Sequence, residues 1–559
     1  MRNLTNFGWF CSVAETFWSN NVLPEGERVV LVEAMSQDLR VLLRNLTVAN
    51  ALRRLEPARL VVFTGADEEW NRVVWTYFDV DEISRMAKAY GAADIFDVHK
   101  LIDRRVAGEP DDTRVLGVPL GGELTESLIL ADDFDRIVTA TACRLDMTAR
   151  MEKSPEGEKV WASVTERSTE FAKVYDALFR ELDVLALVTS HVDYNNFGLA
   201  VEAAVRHDVP VLFPQSTGGM KAHAIFPEKQ ISGAPVRAGL TAEIGRYFEE
   251  HVWAHRNVLR RSAELTTWRL KGSLGWPAWW RPVGSDSHVD ARGPLDRAEL
   301  REHAERRTGL DANKPTITVY NHAVSDALWT NVEAFPDLGA WYEETAKFAA
   351  GHPEVNWLFL EHPSQNKYDR TDFFGRLGRG YARRAHMSFM QSIDLSRNLQ
   401  ASISDTVVTV RGSVSTEFPI IGIPAIQAGW SDWSQCGFTT VADTPSAYFT
   451  ALHRHIDGLL AGEDLITADQ VERARLWAWF YRSASDVPSP LVQQWQVGEG
   501  DSLFNLLATN MMQVEPDGDP VFASVHRLWE RREPFMSRFD WRAGEQAWTE
   551  ALAPLGRSL

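Results

Sequence analysis

Residues 407–429 read VVTVRGSVSTEFPIIGIPAIQAG: an apolar, β-branched run that breaks into Arg411, Gly412, a set of hydroxyls and one carboxylate. Val407–Val410 has the composition of a buried strand, and the chain is expected to turn at Gly412 into a short helix. The first turn of a helix leaves backbone N–H groups without intrahelical partners and carries the positive end of its dipole, which suits a phosphate. Ser413, Ser415 and Thr416 would add hydroxyl donors. Glu417 would repel a phosphate, but it can accept hydrogen bonds from a ribose diol. The plainer alternative is a Ser/Thr helix cap followed by a solvated Glu. Pro419 falls near the helix start, where its missing N–H is tolerated.

Other short stretches carry similar chemistry. In WLFLEHPS, His362 stands where a strand ends and Pro363 stops the ladder. An imidazole there can donate to a phosphate or carboxylate, or serve as general acid for a leaving group; the alternative is a histidine bonded to nearby backbone. His352–Pro353 has the same look but falls in a helix-to-strand loop, and it is given no role. In TVYNHAVSDALW, Asn321 and His322 follow a strand and face donor or acceptor, while Asp326 reads as a helix cap. TSHVDYNNFG and FPQSTGGMKAH offer Asp193, His191 or His223 as a base for an acceptor hydroxyl; Asp193 is taken as catalytic with His362. The acidic runs DVDE (Asp79–Glu82) and DDFD (Asp132–Asp135) could hold a divalent metal. A solvated helix start is the better reading of both, and no metal ligand and no cofactor are expected.

The elements that must position these residues alternate. RVVLVEA, ARLVVFTG, DVLALVTSH and VPVLFPQ are strands separated by helical spacing, and a second series follows with KPTITVYNH, VNWLFLEHP, VVTV and PAIQ. Such βα alternation implies parallel sheets. The expected fold is α/β, with two Rossmann-like units facing each other across a cleft and a helical C-terminal tail. The first unit is placed at 1–300, with a helical, Trp-rich insertion; its Trp276–Pro294 segment reads as a linker or exposed loop. The second is placed at 301–485, and the tail at 486–559 packs back on the body. Ligands of open α/β sheets bind at the carboxyl ends of the strands, so Asn321–His322, Glu361–Pro363 and Arg411–Thr416 are expected on one rim.

The chain's 559 residues have ordinary globular composition, with 45% hydrophobic and 24% charged residues. Its formal net charge of −19 and the lack of a Lys/Arg-rich block argue against nucleic acid as a partner. Cys11, Cys143 and Cys436 are too few and too far apart for a disulfide framework or a zinc site, which suits a reducing cytoplasm. No signal peptide or membrane-spanning segment is expected. Most of the 21 tryptophans read as core or interface residues, with sugar stacking or a peripheral membrane contact as the sharper alternative.

WLFLEHPSQNKY and VVTVRGSVSTEFPIIGIPAIQAGWSDWSQCGFTTVADTPSAYFTAL, with TVYNHAVSDALW and more weakly TSHVDYNNFGLAVEAAVRHDVPVLF, resemble bacterial capsular and surface polysaccharide biosynthesis proteins of the GT-B glycosyltransferase fold. More distantly they are similar to transferases of Kdo and sialic acid. The resemblance implies that His362 and Pro363 match the His-Pro pair beside the donor phosphate. It implies that Ser413, Ser415 and Thr416 match the turn cradling that phosphate, and that Glu417 serves the donor ribose. Where the family commonly has a Lys two residues before the His, this chain has Leu360, and Arg411 is the expected replacement cation. The implied activity is metal-independent glycosyl transfer from a CMP- or UDP-type donor held by the second unit to a glycan or lipid-linked acceptor held by the first. The implied location is cytoplasmic, with peripheral association at the inner face of the membrane left open. Alternatives on the same scaffold are a glycerophosphotransferase, a sugar-nucleotide epimerase, or a non-catalytic carbohydrate-binding or assembly subunit.

Overall fold

The computed structural model describes residues 5–36, 38–67, 70, 80–110, 112–120, 127–151, 155–216, 220–260, 263, 297–326, 328–485, 487–492, 500–544 and 549–550. The Trp276–Pro294 segment and Asp79 lie outside them. The chain divides into two compact units: unit 1 is Met1–Leu145, Lys153–Leu240 and Ala484–Asp540, and unit 2 is Asp146–Glu152, Thr241–Ser483 and Trp541–Leu559.

The sheet of unit 1 contains β1 (Val29–Glu33), β2 (Arg59–Thr64), β3 (Ala92–Asp97), β4 (Val184–Val188), β5 (Val211–Ser216) and β6 (Met220–Ile225), in the order β3-β2-β1-β4-β5-β6. Its central strands, VVLVE and VLALV, are buried along their whole length, as a parallel sheet covered on both faces requires. All neighbours are parallel except β5 and β6, which pair antiparallel. The reason is length. Only residues 217–219 separate those two strands, and a parallel crossover needs a dozen or so residues.

The chain returns to unit 1 from Ala484 and covers the outer edge of β6. Met220 and Val487 exchange both backbone hydrogen bonds at 2.9 Å, and Met536 N–H donates to Ala222 O at 2.7 Å. An uncovered edge strand would invite pairing with another chain. The helix Gly500–Gln513 then lies on the N-terminal helix Asn6–Asn21, with the Phe504 ring 5.0 Å from Phe7 and 5.4 Å from Phe10.

Unit 2 holds β7 (Thr316–Tyr320), β8 (Asn356–Glu361), β9 (Met387–Gln391), β10 (Thr406–Thr409), β11 (Ala425–Gln427) and β12 (Thr440–Val441), in the order β9-β8-β7-β10-β11-β12 with every pair parallel. Counted within each unit, the strands of both sheets run 3-2-1-4-5-6, the order of a Rossmann fold. The expected pair of Rossmann-like α/β units is therefore present. Asp405 ties the start of this sheet together: it accepts from Thr316 N–H at 2.8 Å and from both terminal nitrogens of Arg301, on the helix Arg297–Thr308.

Trp18, Trp341, Trp357, Trp477 and Trp541 are fully buried, as core tryptophans should be. Among the described residues no helix is long and apolar enough to cross a membrane. Trp357 stands near the start of β8, with Phe348 and Phe359 at 6.0 and 6.5 Å and its indole N–H donating to His352 O at 3.2 Å. Trp357→Ala should lower unfolding stability by ~3–5 kcal/mol, read from urea denaturation. A loss below ~1 kcal/mol would mean that this layer is not packed as described.

Candidate functional site

Because every strand of unit 2 is parallel, all its carboxyl ends open on one edge. The strand order reverses between β7 and β10, and such a switch point leaves a crevice beyond the strand ends. Asn321 and His322 follow β7, His362 and Pro363 follow β8, and Arg411 and Gly412 follow β10. The His322 and His362 rings are 6.3 Å apart and nearly parallel. His362 Nδ1 accepts from Ser364 N–H at 3.2 Å. An accepting Nδ1 leaves the neutral ring's proton on Nε2, so Nε2 is a donor. Burial, with the Arg411 charge added, pushes the His322 imidazole down to about 3, which keeps it neutral in ordinary buffers.

Arg411 is held from behind. Its guanidinium donates to Thr330 Oγ1 at 2.9 Å and lies 3.3 Å from the Glu333 carboxylate, with side chains only 9% and 3% exposed. Burial pushes the Glu333 carboxyl up and Arg411 pulls it back. The loop bearing both partners is fixed in turn, since Trp430 N–H donates to Val332 O at 2.7 Å beyond the end of β11. Asn321 is buried and donates to Gln365 Oε1 at 3.2 Å, while its own Oδ1 has no hydrogen-bond partner among the described residues. Pro363 is exposed.

The turn after β10 is built differently from the expectation. The helix Val414–Glu417 is four residues long, so little dipole accumulates. Ser415 Oγ donates to Gly412 O at 2.8 Å and accepts from the Trp433 indole at 3.0 Å. Thr416 Oγ1 donates to Ser413 O at 2.8 Å, and Ser413 Oγ donates to Glu417 Oε1 at 3.0 Å. Glu417 is 1% exposed, and its Oε2 accepts from Arg397 Nη2 at 2.5 Å and Nε at 3.1 Å. The Arg397 guanidinium lies 5.3 Å from each of the Tyr320 and Phe418 ring centres. The three hydroxyls and the carboxylate thus brace the turn from within. The Gly412 backbone is also held inside, its N–H donating to Thr409 Oγ1 at 3.2 Å, and a Cβ there would come within 2.7 Å of that same oxygen.

In unit 1, Asp193 precedes a one-turn π-helix, Tyr194–Gly198, whose first residue is strained at φ +64°. Asn195 N–H donates to Thr141 Oγ1 at 2.9 Å and anchors that turn. His223 is fully buried on β6, its ring 5.0 Å from Phe213, whereas His191 is exposed. In the second acidic run, Asp133 is ion-paired with both Arg136 and Arg206. Among the described residues no group of three or more His, Cys, Asp or Glu could hold a metal ion.

The sequence reading missed Thr330, Glu333 and Arg397 around unit 2's edge, and Glu33 in unit 1. Glu33 had a signal: a carboxylate closing an apolar run, buried at the end of β1.

No family model matches the chain, and no curated protein does. Solved structures similar to it include the β-Kdo 2,7-transferase KpsC of Thermosulfurimonas dismutans, at 14% identity over 59% of this chain and 88% of that one, TM-score 0.28. The UDP-GlcNAc 2-epimerase of Neisseria meningitidis is similar at 9% identity over 80% and 97%, TM-score 0.24. ADP-heptose heptosyltransferase II of E. coli is similar at 10% over 78% and 99%, TM-score 0.23. At such scores the strand order and the site's own geometry say more about this chain than the likeness does.

The Glu417–Arg397 pair yields a test. Leaving one member of a buried ion pair without its partner costs about 3–5 kcal/mol. Glu417→Gln and Arg397→Met should each destabilise by about that much in urea titrations, and the double variant by less than the sum. Additive small losses would mean that the turn is not braced by this pair.

Proposed function

We propose that the protein is a GT-B-type glycosyltransferase: unit 2 holds a nucleotide-activated sugar of CMP or UDP type, and unit 1 holds a surface-polysaccharide or other glycan acceptor. The observation that carries the reading is the trio of His322, His362 and Arg411 at the switch point of an all-parallel sheet. A guanidinium and an imidazole N–H at one strand edge suit a phosphate group, because both donate and the cation compensates the charge. His322 stays neutral beside Arg411 and can orient a polar ligand atom.

In this mechanism Arg411 and His362 Nε2–H meet the negative charge that develops on the departing phosphate as the bond to the sugar breaks. Stabilisation of that kind lowers the barrier most when the donors are already in place. Glu417 and Arg397 keep the turn in position. Charge compensation by Arg411 makes a divalent ion dispensable for departure of the leaving group. Asp193, on the acceptor unit, is retained as a candidate group for the acceptor side.

The test is turnover against a panel of nucleotide sugars. A hydrogen bond from His362 to a developing oxyanion is worth ~1.5–3 kcal/mol, so His362→Ala should lower kcat by roughly ten- to a hundredfold or slightly more. The protein should stay folded, and His352→Ala should leave turnover nearly unchanged. Activity should also persist in EDTA. Full activity in His362→Ala, or loss in EDTA that Mg²⁺ or Mn²⁺ restores, would contradict this mechanism.

A further inference from the structure

The switch point of unit 1 carries its own polar cluster. β1 and β4 are parallel neighbours where the strand order reverses, and β1 ends at Glu33. The Glu33 side chain is fully buried. Its Oε1 accepts from the N–H groups of Met35 and Ser36, and its Oε2 accepts from Ser190 N–H at 2.9 Å and from Ser190 Oγ at 2.6 Å. Two oxygens that only accept are the pattern of an ionised carboxylate. Ser190 Oγ must therefore spend its single proton on Glu33.

The rest of the chain of bonds follows by elimination. Ser190 Oγ also lies 3.0 Å from Ser36 Oγ and 2.9 Å from His191 Nδ1. A hydroxyl has one proton and two lone pairs. With the proton on Glu33, both remaining contacts are bonds that Ser190 accepts, so the Ser36 hydroxyl and the His191 Nδ1–H donate. A neutral imidazole with its proton on Nδ1 presents a bare lone pair at Nε2. His191 is exposed, and the Phe197 ring supports it at 4.9 Å.

We propose that His191 Nε2 is the proton acceptor for a ligand hydroxyl at the carboxyl edge of unit 1, with Glu33 acting through Ser190 as the positioning residue that sets its tautomer. The proposal rests on the transferase reading for its reaction, though not for its geometry. As the acceptor's oxygen bonds to the anomeric carbon, its proton passes to Nε2. The bond from that carbon to the phosphate breaks, and its electron pair leaves with the phosphate. The resulting imidazolium keeps its Nδ1–H on Ser190, one hydroxyl away from the Glu33 anion. Of the three bases that the sequence offers on this unit, His223 is sealed in the sheet, and the Asp193 carboxylate is half-buried beside a strained turn.

The tautomer can be read without any substrate. Long-range proton–nitrogen NMR spectra of full-length protein labelled at histidine nitrogens, with His191 assigned by loss of its signals in His191→Gln, should show the Nδ1–H form above neutral pH. Ser190→Ala removes the bond that fixes it and should move His191 toward the Nε2–H form; circular dichroism checks that the variant folds. An Nε2–H form in the wild type overturns the proposal, as does an unchanged tautomer in folded Ser190→Ala. In turnover, His191→Gln should lower kcat by ~10²–10⁴-fold with little change in the donor KM. Full turnover in His191→Gln, in an assay that His362→Ala impairs, overturns the proton-acceptor role and leaves the transferase reading standing. If no nucleotide sugar is turned over at all, the transferase reading fails, and the spectra still decide the tautomer.

Discussion

A guanidinium buried beside the end of a strand has to be compensated, and the edge of unit 2 is arranged around that requirement. Arg411 leaves β10 almost enclosed, so its charge needs a partner close by. Glu333 and Thr330 meet it from a loop that is itself pinned to the chain beyond β11. The positive charge then reaches His322, whose imidazole it helps to hold neutral. His322 lies next to His362, which keeps its Nε2 proton because its Nδ1 is occupied by Ser364 N–H. The neutral state of His322 thus depends in part on Arg411 staying where the parallel sheet places it, while that of Nε2 on His362 depends on the turn at Ser364.

The same topology yields opposite chemistry in the two units. At the switch point of unit 2 a buried cation accompanies two imidazoles, His322 held neutral and His362 with Nδ1 accepting from Ser364 N–H. At the corresponding point of unit 1 a buried anion, Glu33, accompanies a serine and an imidazole. One edge suits a group that gains negative charge, and the other suits a group that gives up a proton.

Legibility in the sequence followed burial. The central strands TITVY and VVLVE are β-branched, largely apolar and buried at every position, whereas the edge strands AADIFD and MSFMQ are half-exposed and broken by polar residues. The residues at the carboxyl ends of the strands were identified from chemistry and position alone. Their partners were not, because the ties are long-range: Arg397 reaches Glu417 across 20 residues, and Glu33 reaches Ser190 across 157. Sequence showed a hydroxyl-rich turn suited to phosphate. It could not show that those hydroxyls spend their protons inside the turn.

Nucleotide binding measured by calorimetry on wild-type protein and on His362→Ala tests the central claim most directly, because a free nucleotide carries the charge that a leaving group develops. The account predicts that at least one of CMP, CDP and UDP binds the wild type and raises its unfolding free energy, by about 2.7 kcal/mol at a hundredfold excess over Kd. It predicts that His362→Ala weakens that binding about tenfold, the equivalent of one hydrogen bond to a charged group. Binding of equal strength in both proteins, or no binding of any of the three to the wild type, would contradict it.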